Sequence, residues 1–145
     1  MCGTGPADTT PYHYWIGFTG YPNMDAAPTG SLQRINAAGV QCVPYTEFYN
    51  PNINLGGVAG HHDLLMSGLV DATNGYIITN DISLGSITAG LNSINYPGGI
   101  SGIIIDNTST LSQASSLYFS TLSAVNVGTC GNQRCAVKLT QANLQ

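Results

Sequence analysis

The sequence predicts an α/β fold, in which a parallel sheet of about five strands alternates with helices. The first observation is a helical segment, residues 29–39, that ends in Ala-Ala-Gly and runs directly into the Val-rich residues 40–48. Such a helix-to-strand junction is typical of α/β folds. The second is that residues 76–79 and 101–105 are short, unalternating apolar runs, as in parallel strands covered on both faces. These features fit a partial (β/α) barrel or a doubly wound sheet.

Each predicted element has a local basis. Five segments rich in β-branched or aromatic residues are predicted strands: residues 13–19, 40–48, 76–79, 101–105 and 135–140. Four segments are predicted helices: residues 29–39, 63–74, 86–94 and 110–124, the last with apolar residues at three-to-four spacing. Residues 1–12 are turn-rich and predict an N-terminal tail, which leaves residues 13–145 as a single α/β domain. An all-β or α+β domain rich in Ser, Thr and Gly is the main alternative.

The composition excludes several classes of partner. The chain has 145 residues, of which 3 are Lys or Arg and 7 are Asp or Glu, and its net charge is −4. Nucleic acids and anionic membranes are bound by clustered cations, so we predict neither as a partner. The longest apolar runs, such as residues 102–105, fall far short of the ~20 residues of a membrane-spanning helix, so no membrane insertion is predicted.

Four cysteines indicate an oxidising compartment. Cys130 and Cys135 are too far apart for a redox Cys-x-x-Cys pair and have no partner cluster for zinc, which predicts a small disulfide loop. Cys2 and Cys42 then pair by elimination. A surface rich in Ser, Thr, Asn and Gly agrees with an extracellular or cell-surface location, and four reduced, buried thiols are the alternative. We predict no metal and no cofactor.

Three acidic residues lie at the ends of predicted strands. Glu47 closes the second strand, Asp81 follows the third and Asp106 ends the fourth. Since the carboxyl ends of parallel strands share one edge, we expect these side chains to converge there. Grouped carboxylates can serve as general acid and as nucleophile or stabiliser, which predicts a catalytic site. The alternative is that Asp81 and Asp106 cap the turns or helices that follow them.

Residues near the same edge are candidate substrate contacts. Tyr21, Tyr45 and Tyr49 lie at or beyond the ends of the first two strands, where their rings can stack on sugars. His61 lies in a Gly-rich loop on the same side, and only one of the adjacent histidines His61 and His62 would serve a single site. The predicted substrate-binding residues are therefore the three tyrosines and His61.

Four short segments together carry a family resemblance: Gly20-Tyr21-Pro22, Tyr49-Asn50-Pro51, the Ala38-Gly39-Val40 junction and the strand Gly102 to Asp106. They resemble segments of secreted (β/α)-barrel glycosidases of the spherulin type. The resemblance implies a barrel in which the aspartate at the end of the fourth strand, here Asp106, is catalytic. That family places a second acid directly after this aspartate, whereas this chain has Asn107.

Two functions from different classes follow. The first is a secreted, carbohydrate-active, glycoside hydrolase-like domain that acts on a polysaccharide or surface glycan, with Asp106 as nucleophile or stabiliser and Glu47 as acid. It predicts two carboxyl groups roughly 5–9.5 Å apart in an open cleft. The second is a non-enzymatic extracellular structural or adhesive module, such as a pilus, sheath or surface-layer subunit that forms homo-oligomers. It predicts carboxylates engaged by backbone N–H groups, and an exposed apolar patch or strand edge.

Overall fold

All secondary-structure elements in the described part of the chain are β-strands. The computed structural model describes residues 1–4, 10–33, 39–55, 58–84, 87, 92–106 and 116–140. The strands are β1 (Cys2–Thr4), β2 (Pro11–Trp15), β3 (Phe18–Gly20), β4 (Asn23–Met24), β5 (Gly30–Gln33), β6 (Gln41–Cys42), β7 (Thr46–Leu55), β8 (Val58–Val70), β9 (Asn74–Asp81), β10 (Asn92–Pro97), β11 (Ile104–Asp106), β12 (Ser116–Ser120) and β13 (Ala136–Thr140). The α/β prediction is wrong, and so is the glycoside hydrolase-like α/β domain built on it, because these residues contain no helix and their strands pair antiparallel.

A five-stranded central sheet organises the molecule. Its order is β10-β9-β8-β6, and β7 pairs with β8 along the edge opposite β9. β8 is 13 residues long and takes in most of residues 63–74, which were predicted as a helix. Of the other predicted helices, residues 29–39 include β5, residues 86–94 include the start of β10, and residues 110–124 include β12. Of these predicted helices, residues 34–38, 86, 88–91 and 110–115 lie outside the described part of the chain.

The helix prediction for residues 63–74 was wrong because β8 has apolar side chains on both faces. Leu64 and Met66 point to one face of the sheet, and Leu65 and Leu69 point to the other. A strand covered on both faces loses the polar positions that would mark every second residue. Its leucines then fall at spacings of one and four, which also fit a helix.

Two smaller sheets cover the two faces of the central sheet. The C-terminal sheet (β11, β12 and β13) covers one face, where Met66 and Ile77 pack with Leu117 and Phe119 in one apolar core. The N-terminal sheet (β1, β2 and β5) covers the other face, where Leu69 and Ile78 form a second core with Val40 and contact Cys2. In the described part of the chain, these three sheets therefore form three layers with two separate cores.

Two disulfides join these layers and loops, and both predicted pairings are confirmed. Cys2 of β1 is bonded to Cys42 of β6, which ties the N-terminal sheet to the central sheet. Cys130 is bonded to Cys135 in the connection from β12 to β13. The predicted N-terminal tail, residues 1–12, contributes all of β1 and the beginning of β2, and Cys2 pairs with His13 in their register.

Candidate functional site

Glu47 and Asp81, two of the three predicted catalytic acids, lie on opposite faces of the central sheet. Glu47 pairs with Leu65 across β7 and β8, whereas Asp81 pairs with Leu64 across β9 and β8. Neighbouring residues of a strand point to opposite faces, so the two carboxylates are separated by the sheet itself. The N-terminal sheet packs on part of the face that carries Glu47, at Leu69 and Ile78, and the C-terminal sheet packs on the face that carries Asp81.

Asp106, the third predicted acid, belongs to a different sheet. It ends β11, next to Ile105, whose side chain packs against the core beneath the C-terminal sheet. Alternation along the strand places Asp106 on the outer face of β11, together with the exposed Ile104. The expected shared edge depended on parallel strands, and the structure does not bring the three acids together.

Asp81 holds the end of β9 in place. Its carboxylate accepts hydrogen bonds from Nδ1 of His62 at 2.6 Å, from the backbone N–H of Ser83 at 3.0 Å and from the Ser83 hydroxyl. Burial opposes ionisation of Asp81, but these hydrogen bonds outweigh it and keep the pKa of Asp81 below its usual value. The Ser83 hydroxyl in turn accepts a hydrogen bond from the backbone N–H of Asp63 at 2.9 Å. The Asp81 carboxylate therefore stabilises the turn that follows β9.

Asp71 has the same function in the hairpin between β8 and β9. Its carboxylate accepts hydrogen bonds from the backbone N–H groups of Thr73 (2.7 Å) and Asn74 (2.6 Å) and from the Tyr76 hydroxyl (2.7 Å). The two backbone hydrogen bonds, with the Tyr76 hydroxyl after them, hold the pKa of Asp71 well below its usual range. The hydrogen bond to Asp71 likewise raises the pKa of Tyr76.

We expect Asp71→Asn to change how stability depends on pH. The pKa of Asp71 is lower in the folded chain than in the unfolded one, so the carboxylate stabilises the fold above pH ~4 and loses this effect as the pH falls further. Urea unfolding between neutral pH and pH ~2 should show the variant less stable near neutrality and the difference shrinking in acid. A difference that stays constant across this range would contradict the assigned role.

Tyr49 and His61 do come together, on the face of the central sheet that also carries Glu47. Tyr49 pairs with Asp63 in the register of β7 and β8, so His61, two residues away on the same face, is its diagonal neighbour. The Tyr49 hydroxyl and Nδ1 of His61 are joined by a hydrogen bond of 2.6 Å. Both side chains are exposed, Tyr49 to 54%.

The two rings lie side by side in nearly parallel planes. Their planes are 9° apart and their centroids are separated by 5.8 Å. The bonded oxygen and nitrogen lie in the planes of their own rings, so the offset between the planes is close to or below the 2.6 Å that separates these atoms. Face-to-face stacking needs a separation of ~3.5 Å between carbon atoms. Tyr49 and His61 therefore lie edge to edge, and we call them the ring platform.

Tyr45 and Tyr21 lie elsewhere. The ring of Tyr45 is half-buried and packs edge-on against the buried His13, with centroids 5.3 Å apart. Tyr21 is 92% exposed in the hairpin of β3 and β4, near the exposed Phe18 and Met24. Phe18 and Met24 are not among the candidate site residues predicted from the sequence. They flank a Gly-Tyr-Pro-Asn turn, and two short strands around such a turn are the signal that could have indicated a hairpin.

No metal site is found in the described ranges, where no three His, Cys, Asp or Glu side chains are grouped to hold an ion. Nor do these ranges contain a helix of the length and apolar character needed to cross a membrane. Comparisons with protein-family models, curated proteins and solved structures find no match for the chain. The resemblance to spherulin-type glycosidases therefore stays a prediction.

Proposed function

We propose that the chain is a non-enzymatic extracellular adhesive module that binds a neutral glycan on the ring platform. The observation that carries the proposal is the exposed, hydrogen-bonded Tyr49–His61 pair with its nearly parallel rings. Sugar rings offer apolar C–H faces and polar hydroxyl edges. Tyrosine and histidine match them with an apolar ring and a polar tip. Glu47, exposed and two residues from Tyr49 on the same face of β7, adds a carboxylate that accepts hydrogen bonds from hydroxyl groups.

The position of the platform favours binding without large rearrangement. Tyr49 and His61 lie on β7 and β8, which are paired over most of their length, and their mutual hydrogen bond fixes the two rings against each other. Side chains that are already ordered lose less conformational entropy when a ligand binds. The platform is thus pre-organised, as a binding surface made of only a few side chains has to be.

The arrangement of the acids supports a binding function over hydrolysis. Glycosidases use two carboxyl groups roughly 5–9.5 Å apart on either side of the scissile bond. Glu47 and Asp81 are separated by the central sheet, and the carboxylates of Asp71 and Asp81 accept hydrogen bonds from turn N–H groups. This engagement by the backbone is what a structural or adhesive module predicts for its acids.

The charge and the disulfides support the location and the ligand class. Both cysteine pairs are bonded, and disulfides persist mainly in oxidising, extracellular compartments. With 3 Lys and Arg residues and a net charge of −4, the chain is poorly suited to anionic polysaccharides. A neutral cell-surface or cell-wall glycan is therefore the ligand class we infer.

The proposal is tested by affinity electrophoresis in gels that contain cellulose derivatives, xylan, mannan or dextran. We expect at least one of these neutral polysaccharides to retard the wild-type chain. Tyr49→Ala should then weaken binding about thirtyfold, or ~2 kcal/mol, as for an aromatic anchor of an interface. Tyr49→Phe keeps the ring face and should retain most of the affinity.

A matched control is Ile104→Ala, which removes an exposed apolar side chain from the outer face of the C-terminal sheet. It should bind as the wild type does. Equal retardation of Tyr49→Ala and Ile104→Ala, or no retardation by any of these polysaccharides, would contradict the proposal. Release of new reducing ends from a bound polysaccharide would instead support an enzyme.

A further inference from the structure

We propose that an apolar cavity between the N-terminal sheet and the central sheet binds an uncharged, apolar small molecule. The cavity has a volume of about 300 Å³. The residues that line it include Tyr14, Trp15, Ile16, Met24, Leu65 and Ile82. They come from β2 and its end, from the hairpin of β3 and β4, and from the central sheet, so three parts of the fold line one space that is open to solvent.

The lining determines the chemical class of the ligand. The lining side chains are uncharged, and aliphatic and aromatic groups make up most of the surface. The one charged group among the described lining residues is the α-ammonium of Met1, which donates a hydrogen bond to the Tyr14 carbonyl oxygen at 2.8 Å. The volume lies at the lower end of the range for small-molecule sites, ~300–1,000 Å³, and is about twice that of a cavity known to accept a benzene ring. A medium-length alkyl group or a fused pair of rings is the matching size.

One wall of the cavity is the Trp15 indole, whose position depends on the absence of a side chain at Gly30. Trp15 pairs with Gly30 across β2 and β5, and the indole lies directly over that glycine. A Cβ atom at Gly30 would come within 2.1 Å of the indole ring, so another residue there would displace the ring. Leu65 forms part of the opposite wall on the well-paired strand β8. The cavity is thus largely pre-formed, as is usual for small-molecule sites.

The cavity opens to solvent beside two exposed lining residues, Met1 (62% exposed) and Met24 (60% exposed). A ligand therefore has a route in from solvent beside the hairpin of β3 and β4. None of the lining residues belongs to the ring platform. The inference therefore does not depend on the glycan proposal, and either can fail without the other.

Trp15 is the single tryptophan of the chain, so its fluorescence reports on this cavity alone. The full chain is titrated with bromodecanol, whose bromine quenches indole emission on contact, and with bromoethanol as a measure of collisional quenching. We expect saturable quenching by bromodecanol, reversed by excess decanol or naphthol, and only linear quenching by bromoethanol. The relative affinities of decanol and naphthol then distinguish an alkyl from a fused-ring ligand.

Two matched variants test the position of the site. Met24→Glu places a carboxylate at the entrance, and Leu84→Glu places one at a side chain that is 91% exposed and outside the lining. Both positions are on the surface, so both variants should fold, as checked by circular dichroism. We expect about tenfold weaker binding of bromodecanol to Met24→Glu and unchanged binding to Leu84→Glu. Linear quenching by bromodecanol, or equal affinities of the two variants, would overturn the proposal.

Discussion

Replacement of both Cys2 and Cys42 with serine should lower the free energy of unfolding by about 4 kcal/mol. The disulfide closes a loop with a sequence separation of 40 residues, and the loop-closure entropy of an unfolded chain gives a value of this size. The bond also holds β1, three residues long, against the central sheet. The double substitution leaves no unpaired thiol, so the change reports the loss of the cross-link.

The matched comparison is the double replacement of Cys130 and Cys135 with serine. The Cys130–Cys135 disulfide closes a loop with a sequence separation of five residues. The same relation gives about 2 kcal/mol for this short loop. Urea unfolding of the two variants, followed by tryptophan fluorescence and circular dichroism, measures both losses. A larger loss from the short loop than from the long one would contradict the assignment of Cys2–Cys42 as the main covalent tie between layers.

Substitution of Gly75 with alanine should destabilise the fold by about 3 kcal/mol or more. Gly75 lies in β9, and a Cβ atom there would come within 2.4 Å of the Ile100 side chain, 2.7 Å of the Ile100 backbone nitrogen and 2.8 Å of the Gly99 carbonyl carbon. Two of these are backbone atoms, which cannot move away by a change of rotamer. Ile100 is fully buried, so the whole segment that follows β10 would have to shift.

Gly102→Ala is the matched control for Gly75→Ala. A Cβ atom at Gly102 would meet only the Pro44 ring, at 3.9 Å, an ordinary van der Waals distance. We expect a change within about 1 kcal/mol, since alanine also restricts the unfolded chain. Urea midpoints of the two variants measure the difference. Similar stabilities would mean that the close contact of β9 with the chain at Gly99 and Ile100 is not formed.

The sequence predicted the covalent framework and many of the strands better than it predicted the fold class. Four cysteines leave few pairings, so elimination was enough for the disulfides. Predicted strands at residues 76–79 and 135–140 coincide with parts of β9 and β13. The class was wrong because apolar positions on both faces of β8, such as Leu64 and Leu65, fit a helix as well as a strand covered on two sides.

For the candidate site, the sequence indicated single residues but not which of them contact each other. Tyr49 and His61 were each predicted as substrate contacts, but their partnership depends on the register that places Tyr49 opposite Asp63. Composition does not determine register, because a slip of two residues leaves every side chain on the same face of the sheet. The predicted grouping of Glu47 with Asp81 assumed that neighbouring strands run parallel and end at one edge of the sheet. The strands of the central sheet run antiparallel, so their ends do not share an edge.

The central claim is that a glycan binds at the ring platform. Nuclear magnetic resonance can observe this binding in the intact chain. The aromatic proton signals of Tyr49 and His61 are followed while cello-, xylo- or manno-oligosaccharides are added. The account predicts that one of these ligands shifts both sets of signals along a single saturable curve and is recovered uncleaved. Saturable binding that leaves the signals of Tyr49 and His61 unchanged would contradict it.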